Sequence, residues 1–417
     1  VTLNNASWID RSLLKAVRRA LGTAPLTVAL PHLENRPSTT SSPIGTLRIA
    51  DRATLAGLVM NPEVVFGDAY CDGRIEVEGD LVRVIESINQ SSRGVRNWSW
   101  RLMSKWLAWA QANTRYGSSR NIQHHYDLPT DFYKLWLDRH MVYTCAYFPN
   151  EDASLEEAQD AKLDLVCRKL WLRPGETVVE AGCGWGALAM YMAEHYGVKV
   201  KAFNISHEQI RFAREMAKQK GLSSMVEFVE DDYRNITGRY DAFVSVGMLE
   251  HVGREHYPEL GRVIQSTIGD QGRGLLHFIG RRRSLPFSVW IRKRVFPGAY
   301  APTLRESMEV LEPQRFYVLD IEDLRLHYAR TIEHWLSRFE SAYDTVVRDR
   351  GTNFARMWRL YLAGSIAAFR VGTLQLFQIV FTGSQCKSAP WTRSRLYTGI
   401  SQDQNKADDE LWTPAMS

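Results

Sequence analysis

From residue 154 onward, apolar positions fall into two alternating patterns. Residues 154–170 place Leu155, Ala158, Leu163 and Val166 on one stripe, the spacing of a helix that buries one face. Short apolar runs follow at 177–180, 198–203, 226–229, 240–246 and 274–278. They are too brief for helices and rich in apolar residues, which predicts strands. Between them, 187–195 and 206–220 carry helical periodicity. Strands separated by helices of that length need crossover connections, which are right-handed and give a parallel sheet. The predicted fold class is therefore α/β.

The rest of the chain divides around this core. Residues 1–90 read as a smaller α/β or α+β unit, with helices at 12–21, 51–60 and 80–89 and strands at 26–30 and 45–49. The stretch 64–73, with Gly67, Asp68, Asp72 and Gly73, reads as turns. Residues 91–120 form a linker whose middle is helical and which interleaves Arg93, Arg96, Arg101, Lys105 and Arg115 with Trp98, Trp100, Trp106 and Trp109. The α/β unit spans 121–385. Within it, 281–312 breaks the alternation and is too long for a plain connection, so a lid or cap is expected there. A polar tail, 386–417, follows.

Composition narrows the class. The 417 residues predict two or three domains, and 45% apolar with 24% charged residues is ordinary for a globular chain. No run reaches the roughly 18 uncharged apolar residues of a membrane span. The most apolar late stretch, 361–381, is interrupted by Arg370, Gln375 and Gln378. With no signal-peptide pattern at the N-terminus, membrane contact is expected to be peripheral. The five cysteines, Cys71, Cys145, Cys167, Cys183 and Cys386, show no CxxC spacing and are odd in number. That argues against a disulfide framework or zinc site and fits a reducing cytoplasm.

Two segments carry the candidate chemistry. A buried strand runs into Gly182-Cys183-Gly184-Trp185-Gly186 and then into a helix, where α/β proteins hold a nucleotide-like cofactor against the backbone. The spacing is not GxGxxG. The second strand ends at Phe203-Asn204-Ile205-Ser206, with Gln209 one turn on, where ribose hydroxyls are met. The third ends at Glu230-Asp231-Asp232, where a carboxylate can accept from an adenine amino group. The aromatic segment Tyr143-Thr144-Cys145-Ala146-Tyr147-Phe148 is placed to cover such a cofactor. Together these point to S-adenosylmethionine (SAM).

Further segments carry a resemblance. They include Gln123-His124-His125-Tyr126-Asp127, Tyr143 to Phe148, Glu180 to Gly186, Ser245-Val246-Gly247-Met248-Leu249-Glu250-His251-Val252-Gly253, Leu275-Leu276-His277-Phe278-Ile279-Gly280, Leu326-His327-Tyr328 and Gln375-Leu376-Phe377-Gln378. In these the chain resembles the cyclopropane fatty acid synthases, relatives of the mycolic acid cyclopropane synthases, over residues 120–385. The Gly67-Asp68-Ala69-Tyr70 stretch resembles the N-terminal domain of the phospholipid-acting members. The resemblance implies a Rossmann-like class I SAM-dependent methyltransferase with a smaller N-terminal α/β lipid-associated domain. It implies conversion of a cis acyl double bond to a cyclopropane with the SAM methyl carbon. It also implies a bicarbonate site at Cys145, Glu250, His277, Ile279 and Tyr328, with Ile279 and in part Cys145 serving through backbone groups. SAM contacts would fall to Tyr143, Thr144, Gly182, Gly184, Asn204, Ser206, Gln209 and Asp232, with Asp231 beside them. The family usually has threonine where this chain has Asn204.

On the residues alone the alternatives stay open. His277 could be a satisfied core histidine, Glu250 an acid at a helix start, Tyr328 a packing residue and Cys145 a small buried one. His124, His125 and Asp127 have metal-compatible spacing, but His125 and Tyr126 better suit bracing a cofactor lid. Arg281-Arg282-Arg283 and Arg292-Lys293-Arg294 flank an apolar segment containing Trp290, a pattern suited to an anionic bilayer. The expected partner is thus unsaturated phospholipid, met peripherally at the inner face of the membrane. No motif for nucleic acid accompanies the basic residues, and a homodimer is left open. Rival readings are a sister methyltransferase forming a methylene or methyl branch, and a non-catalytic lipid-binding protein.

Overall fold

In a computed structural model describing residues 7–31, 33–35, 42–91, 128–284 and 287–396, the N-terminal unit closes on its own small sheet. Its strands are β1 (Leu26–Leu30), β2 (Leu33–Asn35), β3 (Gly45–Ile49) and β4 (Ile75–Gly79), in the order β2-β1-β3-β4. Four helices accompany them: α1 (Trp8–Leu21), α2 (Arg52–Met60), α3 (Pro62–Cys71) and α4 (Leu81–Ser91). The region read as turns at 64–73 is therefore mostly helix. Asn61 caps α3 and Pro62 begins it, a strong start signal that outweighs the internal glycine. Gly67 serves close approach instead: a Cβ there would lie 2.3 Å from the Trp290 indole.

The larger unit is a seven-stranded sheet. Its strands are β5 (Thr177–Ala181), β6 (Lys199–Asn204), β7 (Val226–Glu230), β8 (Ala242–Val246), β9 (Arg273–Gly280), β10 (Tyr317–Asp323) and β11 (Gln375–Thr382), in the order β10-β11-β9-β8-β5-β6-β7. The five strands from β5 to β9 pair parallel, as the alternation predicts. The last two depart from it, because β11 runs antiparallel to both β9 and β10. Helices α5 (Thr130–Lys134), α6 (Leu155–Lys169), α7 (Ala187–Tyr196), α8 (His207–Gln219), α9 (Leu249–Val252) and α10 (Tyr257–Ile268) precede or cross the parallel strands. Ser154 and Glu157 form a capping box that starts α6 where the stripe begins.

The expected lid contains α11 (Val289–Arg294) and α12 (Leu304–Leu311). Between β10 and β11 stand α13 (Arg325–Ser341), α14 (Tyr343–Arg350) and α15 (Thr352–Arg370), which wall one side of the large core cluster. The two units touch through α15 against α3 and α4, and through α11 against α3. Trp290 Nε1 donates to Asp68 Oδ1 at 3.1 Å, and Arg294 donates to both oxygens of Asp68 at 3.0 and 2.8 Å. Arg356 donates to the carbonyls of Tyr70 and Ile75, with its guanidinium 4.4 Å from the Tyr70 ring centre. The tail packs back as far as residue 396, where Arg393 pairs with Asp320. The tryptophan-rich linker, the Gln123 to Asp127 motif and residues 397–417 lie outside the described residues.

Candidate active site

The cofactor cleft is built by the glycine turn after β5. Gly182, Gly184 and Gly186 have φ of 85°, 54° and 85°, a region where side chains are strained. A Cβ at Gly186 would also lie 2.5 Å from the Phe228 ring, so α7 can start this close to β7 only with glycine. A Cβ at Gly184 would meet nothing within 4 Å, as fits a backbone facing open space. That space is a cavity of about 1360 Å³. Of the predicted cofactor residues, Tyr143, Thr144, Gly182 and Gly184 line it, as do Asn204, Gln209, Asp231 and Asp232.

Ser206 departs from its expected role. It is buried and caps α8, its hydroxyl accepting from the Gln209 amide at 3.4 Å, and it lies behind the cavity wall. Asn204, where the family usually has threonine, ties the strand end to the turn. Its Nδ2 donates to Gly184 O at 3.3 Å and to Gln209 Oε1 at 2.7 Å. The Gln209 amide is thereby turned so that its nitrogen is left for a ligand oxygen. Asp231 accepts from Asn235 Nδ2 and from the Asp232 amide, each at 2.7 Å, which fixes the acidic strand end.

Next to the cleft lie the groups expected around an oxyanion. Glu250 is buried in α9, just after β8, and Oε1 accepts from the Ile279 amide at 2.5 Å. Burial pushes its carboxyl up to about 7. His277 sits two residues before Ile279 on β9, so both side chains point to one face. Its Nδ1 lies 3.0 Å from Gln378 Nε2, and burial, with the charges of Lys162 and Lys169, holds the ring well below the ordinary histidine range. Among the described residues neither Glu250 Oε2 nor His277 Nε2 has a hydrogen-bond partner, and both are buried. Two orphaned polar atoms are costly unless something else meets them. A small oxyanion fits that requirement.

Glu250, Ile279 and Tyr328 line the same cavity as the cofactor residues; Cys145 and His277 are buried and are not among its lining residues. Cys145 is fully buried, with Sγ 3.1 Å from the Ala146 carbonyl, and burial raises its thiol above the ordinary range. Its buried thiol is unsuited to attack. The Ile279 amide is already engaged by Glu250, so its part is to hold that carboxyl. Tyr328 packs against Phe369 with the rings tilted by 40° and their centres 4.7 Å apart, and the wall continues through Tyr143, Trp185, Phe296 and Tyr361.

Two charged residues in the wall were missed. Lys162 is buried, donates to Thr144 Oγ1 at 3.0 Å, and is lowered to about 8 by burial. Glu180 is raised to about 8 by burial, with the Lys162 charge opposing the rise. A signal existed: Lys162 lies four residues from both Ala158 and Val166, on the buried stripe itself.

The basic lid segment is less exposed than its pattern suggests. Trp290 is 4% exposed, Arg292 is buried, and Arg281 is buried with its guanidinium 4.7 Å from the Phe287 ring centre. Trp290 seals the lid against Gly67 and Asp68 of the N-terminal unit, and Arg292 lies near the charge of Glu63 there. Arg282, Arg283 and Lys293 remain exposed. Val59 and Met60 also line the cavity and are 43% and 77% exposed, which places an apolar rim beside Arg282 and Arg283. No helix among the described residues is long and apolar enough to cross a membrane.

A family model described as mycolic acid cyclopropane synthetase matches residues 113–379. The chain belongs to the mycolic acid cyclopropane synthetase family. A second model, a domain of unknown function, matches residues 23–97. Among relatives of this synthetase family, a Pseudomonas putida protein named probable fatty acid methyltransferase is 33% identical over 82% of this chain and 89% of its own length. The cyclopropane-fatty-acyl-phospholipid synthase of Escherichia coli K12 is 38% identical over 62% of this chain and 66% of its own length. The crystal structure of the mycolic acid cyclopropane synthase CmaA1 in complex with SAH and CTAB is similar with a TM-score of 0.60 and 30% identity, covering 63% of this chain and 97% of that one. This synthetase-family chain is a SAM-dependent methyltransferase of the cyclopropane synthase type.

Proposed function

We propose that the enzyme transfers the methyl carbon of SAM to a cis double bond in an acyl chain of a membrane phospholipid and closes a cyclopropane, with bicarbonate held by Glu250, His277 and Tyr328. The observation that carries this reading is the pair of orphaned atoms, Glu250 Oε2 and His277 Nε2, beside an aromatic-walled cavity that also contains the cofactor cleft. Bound bicarbonate would supply a small, exchangeable base.

An alkene is a poor nucleophile, and no side chain can deprotonate it into a better one. The protein must hold the π bond against the sulfonium methyl and exclude water, which can lower a barrier by about 7–11 kcal/mol. The cation left on the acyl chain is stabilised by ring faces, at about 2 kcal/mol or more per desolvated contact. Tyr143, Phe296, Tyr328 and Tyr361 offer such faces in the cavity wall. A carboxyl raised to about 7 is half protonated at that pH and largely neutral below it. It can donate to an oxyanion instead of repelling it, and it resists alkylation by the cation.

The acceptor class rests on the lining of the cavity, which also includes Leu47, Phe66 and Ile85 of the N-terminal unit and the exposed Val59, Met60, Arg282 and Arg283. A cavity that combines an apolar lining with exposed cations suits an acyl chain with a phosphate at its head, presented from a bilayer the enzyme touches peripherally. The name of the Escherichia coli relative supports the same acceptor. The Pseudomonas putida relative, named probable fatty acid methyltransferase, is equally compatible with a second reading in which the product carries a methyl or methylene branch.

Purified protein incubated with SAM and vesicles of cis-monounsaturated phosphatidylglycerol separates the two. The cyclopropane has upfield ring protons in the product NMR spectrum. Vinylidene or branched-methyl signals would establish the second reading, and no transfer to phospholipid would remove the acceptor assignment.

A further inference from the structure

The strand register lines up three polar residues across the antiparallel half of the sheet. Glu322 on β10 pairs with Gln378 on β11, and Gln378 pairs with His277 on β9. Facing neighbours in such a row touch through their side chains. Lys169, at the last position of α6, reaches the same row. Its Nζ donates to Gln378 Oε1 at 2.7 Å and to Glu322. Lys169 and Gln378 are buried at 2% and 0% exposure, so solvent does not compete for the contact between them, while Glu322 is partly exposed.

The donor and acceptor inventory of this row leaves a single arrangement. An ammonium only donates, so Gln378 must turn its carbonyl oxygen to Lys169. Its NH2 group then faces His277 Nδ1 at 3.0 Å. An amide NH2 also only donates, so Nδ1 must carry a lone pair. The neutral ring has one N–H, which must be on Nε2. Turning the amide over would set its NH2 against the ammonium and lose that bond in a buried place; an Nδ1–H ring could still meet the turned oxygen, so Lys169 is what decides between the two tautomers. Nε2 is the atom left without a partner among the described residues.

We propose that Lys169, acting through Gln378, locks His277 as the Nε2–H tautomer, so that the ring presents a fixed hydrogen-bond donor to the anion site and no basic nitrogen. Glu322 neutralises Lys169 and holds it in place. Lys169 and Gln378 are positioning residues, and neither is among the residues lining the cavity. The use of the Nε2–H as an anion donor rests on the bicarbonate site proposed above; the tautomer itself does not. Proton acceptance is thereby assigned away from His277.

The test is a long-range ¹H–¹⁵N spectrum of the full chain labelled with ¹⁵N-histidine, the His277 signals being assigned by their loss in His277→Asn. The expected result is a protonated Nε2 and a bare Nδ1 from pH 6 to pH 8. Gln378→Glu places a carboxylate beside Nδ1, which should move the proton to Nδ1 and raise the apparent KM for bicarbonate at least tenfold with the KM for SAM unchanged. Lys169→Met leaves the amide free to turn and should give a mixture of tautomers. A protonated Nδ1 in the unmodified protein overturns the proposal even if neither variant folds. So does an unchanged tautomer in a folded Gln378→Glu protein. If the Nε2–H spectrum appears while turnover ignores bicarbonate, the lock stands and the bicarbonate assignment is what fails.

Discussion

Replacing Glu250 by glutamine should move stability and activity in opposite directions. The carboxyl is buried, one oxygen accepts from the Ile279 amide, and the other has no partner among the described residues. Burial raises it from an ordinary 4.5 to about 7. Below the lower value both the folded and unfolded chains carry the proton. Between the two values only the folded chain does, so folding stability falls as pH rises, by about 1.4 kcal/mol per pH unit. Above about 7 the loss is complete. Glutamine keeps an oxygen for Ile279 and has no charge to bury. The stability of Glu250→Gln relative to the parent should therefore increase by about 2 kcal/mol between pH 5.5 and pH 8.5. Urea denaturation at both pH values, in buffer free of bicarbonate and SAM, reads this difference. Turnover should fall by about 10²-fold or more, because a group poised near neutrality at the site of proton removal is lost. SAM affinity by calorimetry should stay the same. A stability difference that does not change with pH would refute the buried, raised carboxyl, and unchanged turnover would refute its place in the chemistry.

Three further outcomes are expected. Gly67→Ala drives a Cβ to within 2.3 Å of the Trp290 indole and should lower thermal stability by about 1–3 kcal/mol, read by calorimetry. Tyr328→Phe should keep SAM binding and slow turnover about tenfold or more, read in single-turnover assays with vesicles. Replacing Arg282 and Arg283 together by glutamine should weaken binding to anionic vesicles by about 1 kcal/mol per charge, an effect that high salt removes, read by co-sedimentation.

Strands rich in apolar residues and separated by helices announce themselves in a sequence, and β5 to β9 did. β10 did not, because it is the exposed edge of the sheet: Tyr317, Val318, Leu319 and Ile321 all face solvent in part, and acids interrupt them. β11 was hidden inside one long apolar stretch. The break after α15, at Val371 to Leu374, is marked only by Gly372, whose φ is 72°. Trp290 illustrates a different limit. Its basic flanks match a membrane-facing segment, yet its burial depends on Gly67, more than two hundred residues away in sequence. Within the site, Glu250 and Tyr328 stood in recognisable motifs, whereas Lys162 was missed although it lies on the buried helical stripe. The Lys169 to Gln378 contact was not, because it joins positions 209 residues apart and depends on the register of strands whose pairing the sequence does not display.

The central claim is that an oxyanion held by Glu250, His277 and Tyr328 receives the proton that ring closure releases. It is tested most directly by turnover of the enzyme with SAM and monounsaturated vesicles in buffer purged of carbon dioxide, as bicarbonate is added back. The expected result is a low basal rate that rises to saturation with bicarbonate, and a response that is lost in Glu250→Gln. Full turnover in the purged buffer, or equal activation by bicarbonate in the glutamine variant, would contradict it.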